Sequence, residues 1–169
     1  MNNFSSPAVG EKHKPAATIF REYDIRGIVG KTLHEADAYA IGRAFASRVA
    51  NQTSTTICVG YDGRLSSPQL VEALCLGLLN AGVNVTNIGC GPTPMLYFAT
   101  HMLNAAAGIM VTGSHNPPDH NGFKIVLGGK PFFGVDIQKL RADIEAGNFP
   151  SGKGKLQHID QKAAYVDRL

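Results

Sequence analysis

From Thr112 to Lys124 the chain reads Thr-Gly-Ser-His-Asn-Pro-Pro-Asp-His-Asn-Gly-Phe-Lys. The hydroxyl of Ser114 therefore shares thirteen positions with two imidazoles, two carboxamides, a carboxylate and an ammonium group. A plain turn needs Gly and Pro to set its backbone, but not that set of side chains. The residues point to a catalytic loop with Ser114 as a hydroxyl nucleophile; a polar surface turn is the blander alternative. Gly113 supplies a sharp turn, and Pro117 and Pro118 stiffen the exit by fixing their own φ and biasing the preceding residue toward extended backbone.

The flanking sequence says where such a loop sits. Ala105 to Val111 is an apolar run that reads as a buried strand, and Phe123 to Leu127 reads as a second strand. So short a connection makes these two strands antiparallel neighbours. Open α/β sheets bind ligands at the carboxyl ends of their strands, which is where Ser114 falls. Earlier strands, Phe20 to Val29 and Thr56 to Tyr61, end in Tyr23-Asp24-Ile25-Arg26-Gly27 and Gly60-Tyr61-Asp62-Gly63-Arg64. Val83 to Ile88 is a further strand.

Helical stripes alternate with them. Leu33, Ala40, Ile41, Ala44, Phe45 and Val49 share a face in a helix opened by a Thr32–Glu35 capping box and running to about Ala50. Leu70, Val71, Leu74, Cys75, Leu78 and Leu79 form a second stripe, with Ser67 as cap, Pro68 at the first helical position and Gly82 at the stop. Thr93-Pro94 opens a third helix with Met95, Phe98, Ala99, Met102 and Leu103 inward. A fourth runs from Val135 to Ala146 and stops at Gly147. Strand and helix in alternation imply a three-layer α/β/α sandwich on a mixed, mostly parallel sheet.

Composition agrees with one globular domain: 169 residues, 44% apolar and 17% charged. A formal charge of +3 with no basic run gives no reason to expect nucleic acid. Cys58, Cys75 and Cys90 have no zinc-site spacing and are expected as reduced thiols of a cytoplasmic protein. No run is long enough to span a membrane. Residues 1–17 are expected to be a disordered tail, 18–148 the folded domain, and 149–169 a linker toward a second domain absent from this chain.

The loop Thr112 to Pro117 with Asn121 to Lys124 resembles the phosphoserine loop of the α-D-phosphohexomutases, the phosphomannomutase/phosphoglucomutase family. YDIRG at Tyr23 and GYDGR at Gly60 match the same family in the same order, within the first of its four domains. The resemblance implies that Ser114 carries a phosphoryl group exchanged with hexose phosphates, interconverting 1- and 6-phosphates through a 1,6-bisphosphate. It makes Lys124 a proton-transfer partner or phosphate stabiliser, and it places Tyr23 and Arg26 in the same cleft, with the Arg26 guanidinium expected as a cation near Ser114 able to make two-pronged contacts to phosphate oxygens. His115 would position phosphate or sugar, or only orient the loop; Asn116 would touch substrate or only brace its own turn. Asp62 and Arg64 would pair in support of the loop, and His120 is assigned nothing.

The resemblance also implies Mg²⁺ with the Ser114 phosphate as one ligand, and glucose 1,6-bisphosphate as activator. The family's D-G-D-x-D metal segment does not occur in this sequence. The expectation is an amino-terminal catalytic domain, inactive alone and partnered by the remaining domains of a parent enzyme. A non-catalytic module that binds sugar phosphates or regulates a partner is the alternative. A serine hydrolase is unsupported, since the loop is not a G-x-S-x-G elbow.

Overall fold

The computed structural model describes residues 4–7 and 11–169. Its strands are β1 (Ile25–Ile28), β2 (Thr56–Tyr61), β3 (Asn84–Cys90), β4 (Ala107–Val111), β5 (His120–Leu127), β6 (Lys130–Pro131) and β7 (Leu156–His158). Its α-helices are α1 (Glu35–Phe45), α2 (Ser67–Asn80), α3 (Thr93–Met102), α4 (Val135–Ala146) and α5 (Lys162–Val166). The strands form one sheet in the order β1-β5-β4-β2-β3-β7, with β6 beside β5. β4, β2, β3 and β7 are parallel, whereas β5 runs antiparallel to β1, β4 and β6. The sheet is therefore mixed, and its two faces are covered by different helices.

Side-chain alternation along the strands assigns those faces. Ile57, Val59, Ile109, Val111, Phe123 and Ile125 pack with α1, α2 and α4 in the larger core. Cys58 and Met110 point the other way and pack with Met95, Leu96 and Ala99 of α3. All five residues of β4 are buried, as expected for a strand covered on both sides. Burial pushes the Cys58 and Cys75 thiols up to about 12, which leaves them unreactive at neutral pH. Among the described residues no helix is long and apolar enough to cross a membrane.

Several local expectations are corrected. β1 does not begin at Phe20: only Ile25–Ile28 is strand, and Phe20 makes a single bridge to Ile25 around the Asp24 turn. Helix α1 is capped by His34, not Thr32, in a box closed by Asp37; the Thr32 hydroxyl accepts the Ile28 amide instead. It gives way to a 3₁₀ turn at Ala46–Arg48. Ser66 rather than Ser67 precedes α2, because the Ser67 hydroxyl is taken by Asp62. In α3, Leu96 is buried while Met102 is 57% exposed.

The chain ends also depart from expectation. The tail 1–17 lies partly outside the described residues. Within the described part, Phe4 packs on Tyr39 and His13 Nε2 lies 2.6 Å from the buried Asp37 carboxylate. Residues 149–169, expected as a linker, add β7 to the sheet edge and set α5 against α3, where Tyr165 meets Phe98.

Helices α1 and α2 cross at glycines. A Cβ on Gly42 would come 2.5 Å from the Leu74 carbonyl oxygen, and one on Gly77 would land on the Tyr39 carbonyl oxygen. Alanine at either site gains about 1 kcal/mol of helix propensity, yet overpacking costs roughly 1–3 kcal/mol. Gly77→Ala should therefore lower the thermal midpoint. A midpoint equal to or above wild type would show that the helices have room to separate.

Candidate active site

Parallel neighbours finish on the same edge of a sheet, so the loop leaving β2 meets the loop leaving β4. The register pairs Tyr61 with Val111, which sets Asp62-Gly63-Arg64 directly against Thr112-Gly113-Ser114. The Asp62 carboxylate gathers the loop entrance. Its Oδ1 accepts from the Ser67 hydroxyl at 2.7 Å and the Arg64 amide at 3.1 Å. Its Oδ2 accepts from the Thr112 hydroxyl at 2.8 Å and the Gly113 amide at 3.0 Å. Burial works against ionisation of Asp62, but these four hydrogen bonds outweigh it and hold the carboxyl below the ordinary aspartate range.

Arg64 gathers the rest. Its Nη1 donates to the carbonyls of Pro117 (2.5 Å) and His120 (3.0 Å), and its Nη2 to those of Ser114 (3.1 Å) and Asn116 (2.6 Å). Its Nε lies 3.4 Å from Asp62 Oδ2. The guanidinium fills the space where a side chain on Gly113 would stand, so any larger residue there would have to displace it.

Between these two groups Ser114 is exposed, with φ at +51°. A non-glycine residue in the left-handed region costs of order 1 kcal/mol and persists where its surroundings over-determine it. Here they do: the Ser114 amide donates to the Thr112 hydroxyl at 2.9 Å, and its carbonyl is held by Arg64. The nucleophile candidate stands on the outer side of a loop fastened from within.

The other expected residues divide. Lys124 is half-buried on β5, its Cα opposite Met110, on the face away from Phe123. It lines a cleft of about 310 Å³ with Tyr23, Tyr97 and Phe133, where the exposed Tyr23 ring stacks on Phe133 at 6.1 Å. His115 is exposed and has no side-chain partner among the described residues. Arg26, expected as a two-pronged phosphate contact, is here engaged within the protein. It is 2% exposed, and its terminal nitrogens donate to the Gly113 carbonyl and, at 2.6 Å, to Asp24 Oδ2. Asn116 likewise turns inward, its carboxamide donating to the Gly113 carbonyl at 3.2 Å. Both donate to the Gly113 carbonyl and so brace the loop.

Sequence reasoning missed three supports. Ser67 and Asn121 are fully buried, with Asn121 Nδ2 donating to the Ser66 and Ser67 hydroxyls at 2.9 and 3.0 Å. Thr112 links Asp62 to the Ser114 amide. The signal for them was the end-to-end meeting of β2 and β4, which is a consequence of parallel adjacency. Among the described residues no cluster of three or more His, Cys, Asp or Glu side chains could hold a metal. The Asp62 carboxylate already accepts four hydrogen bonds from the loop and its surroundings.

The fold and loop together define an α/β/α domain with an exposed serine at the end of a central strand. The chain belongs to the phosphoglucomutase/phosphomannomutase family as its α/β/α domain I, whose family model matches residues 17–151. It is 46% identical over 153 residues to a phosphomannomutase/phosphoglucomutase of Pseudomonas aeruginosa, a match covering 90% of this chain and 33% of that protein. It is 52% identical over 156 residues to a phosphoglucomutase of Neisseria meningitidis, covering 91% and 34%. A crystal structure of a family protein from Burkholderia thailandensis superposes with a TM-score of 0.86 at 45% identity, over 91% of this chain and 35% of that one. The chain spans about a third of the length of the curated relatives it matches.

A carboxyl held below its ordinary range stabilises the fold at neutral pH and loses that contribution as the pH falls through its folded-state value. Asp62→Asn leaves loop donors without a matching acceptor and should cost about 1–3 kcal/mol at pH 7. In urea titrations at stepped pH, the gap between wild type and variant should stay constant down to roughly pH 4 and close below it. A gap that widens on acidification would contradict the assignment of Asp62 as a charged anchor.

Proposed function

We propose that this chain is the phosphoserine-bearing catalytic domain of a hexose phosphate mutase. The observation that carries the reading is Ser114 itself: exposed, on left-handed backbone, and braced at both its amide and its carbonyl. The phosphoryl group passes from Ser114 Oγ to the free hydroxyl of a hexose monophosphate. The Oγ–P bond breaks, a sugar O–P bond forms, and the hydroxyl proton ends on the serine oxygen. The 1,6-bisphosphate then turns over in the cleft and returns its other phosphoryl group to Ser114. Splitting the isomerisation into two transfers at one serine is the gain of covalent catalysis.

Phosphoryl transfer depends mainly on positioning and on neutralising charge. Lys124 is the cation of the adjoining cleft and is assigned to the proton and the incoming phosphoryl oxygens. His115, exposed beside the nucleophile, is assigned to orienting phosphate or sugar, and Tyr23 to the cleft wall. Magnesium, which lends further charge neutralisation when bound, would take a Ser114 phosphoryl oxygen from this chain and its other ligands from outside it. Discrimination between glucose and mannose phosphates likewise requires surfaces beyond these residues. The chain alone is expected to bind hexose phosphates and accept phosphoryl but not to turn over, and to act within a cytoplasmic parent enzyme.

Intact mass and peptide mapping after incubation with glucose 1,6-bisphosphate and Mg²⁺ test this. One phosphoryl group on Ser114, absent from Ser114→Ala, is expected in the chain or once the remaining domains are supplied. Absence of the modification in both would overturn the mutase reading and leave a non-catalytic sugar-phosphate module.

A further inference from the structure

We propose that Arg64 is a positioning residue for phosphoryl transfer, acting on Ser114 only through the backbone of the loop and never as a phosphate ligand. The inference rests on the phosphoserine reading above and goes beyond it. An arginine near a phosphate site is ordinarily assigned to the phosphate, since a guanidinium fork matches two of its oxygens. Here the fork is already occupied. Both terminal nitrogens donate to two carbonyls each, those of Pro117 and His120 and those of Ser114 and Asn116. The remaining nitrogen faces Asp62 at 3.4 Å. The group therefore has little left to offer a substrate.

Those bonds specify the loop. They span its length, from the carbonyl of the nucleophile to the first residue of β5, and so close it around one planar group. Two details show that the arrangement fits the guanidinium rather than any cation. Gly113 is packed so tightly on its plane that a Cβ there would overlap it. The backbone of Ser114 is left-handed, and its carbonyl is one of the four that Arg64 holds. Lysine, a single point charge on a flexible stem, cannot serve acceptors spread along the loop. Phosphoryl transfer is sensitive to such placement, since misplacing a reacting group by about 1 Å can cost 100-fold in rate.

A positioning role and a phosphate-ligand role separate in kinetics. The rate of phosphoryl uptake by Ser114 from glucose 1,6-bisphosphate is followed by mass at varied donor concentration. The chain is used as it stands, or joined to the remaining domains if those prove necessary for uptake. Arg64→Ala should lower the maximal rate about 100-fold while half-saturation moves by less than about threefold. Arg64→Lys should not restore the rate, whereas added guanidinium ion should restore part of it to Arg64→Ala. Gly113→Ala, which keeps the arginine but displaces it, should reproduce the loss and serves as the test if Arg64→Ala does not fold.

A maximal rate within about threefold of wild type in both Arg64→Lys and Gly113→Ala would overturn the proposal. So would a change confined to half-saturation, which would make Arg64 a phosphate ligand. If the wild-type protein takes up no phosphoryl at Ser114, the mutase reading fails and this inference falls with it. If wild type is phosphorylated and the variants match it, only this inference falls.

Discussion

The exposed serine depends on a carboxylate and a guanidinium that together hold its loop. As an ion pair Asp62 and Arg64 would matter little: at 3.4 Å and partly exposed, such a pair is worth about 0–1 kcal/mol. Their weight lies in neutral partners. Asp62 accepts from two hydroxyls and two amides, and Arg64 donates to four carbonyls. Hydrogen bonds with one charged member are roughly twice as strong as neutral ones. Together they hold a left-handed serine that an unsupported turn would relax, and they leave its hydroxyl free.

The sheet makes that closure possible. β2 and β4 are parallel neighbours, so Asp62 and Arg64 emerge where Thr112 and Ser114 do. β5 returns antiparallel, which places Lys124 opposite Met110 inside the same edge. β1 pairs Arg26 with Gly122, and this brings a second arginine under the Gly113 carbonyl. On the other side of the sheet, the glycine crossing of α1 and α2 lets the covering helices lie close. The strands that root the loop are buried at its base: all five residues of β4 are covered.

Much of this was legible in the sequence because it depends on periodicity. The apolar run before Ser114, the return strand after it and the glycine stop at Gly147 each arise from a local pattern, and each is seen. The features that were not legible depend on competition between partners. Thr32 and Ser67 looked like helix caps, but the Ile28 amide and the Asp62 carboxylate claim their hydroxyls. Arg26 is 2% exposed and donates to the Gly113 carbonyl, a partner that its place in YDIRG does not reveal. The stretch after Phe149 reads as polar, but sheet pairing with β3 gives Leu156–His158 a strand that composition does not suggest.

The most direct test of the clamped loop is amide hydrogen exchange, resolved by residue, in wild type and Arg64→Ala. The Gly113, Ser114 and Asn116 amides are all hydrogen-bonded, to Asp62 Oδ2, the Thr112 hydroxyl and the Gly113 carbonyl. They should be protected in the wild-type protein and exchange far faster in the variant, while the buried amides of β4 keep their protection. Equal exchange of the loop amides in the two proteins would mean that the loop holds its shape without Arg64, and the clamp would be wrong at its centre.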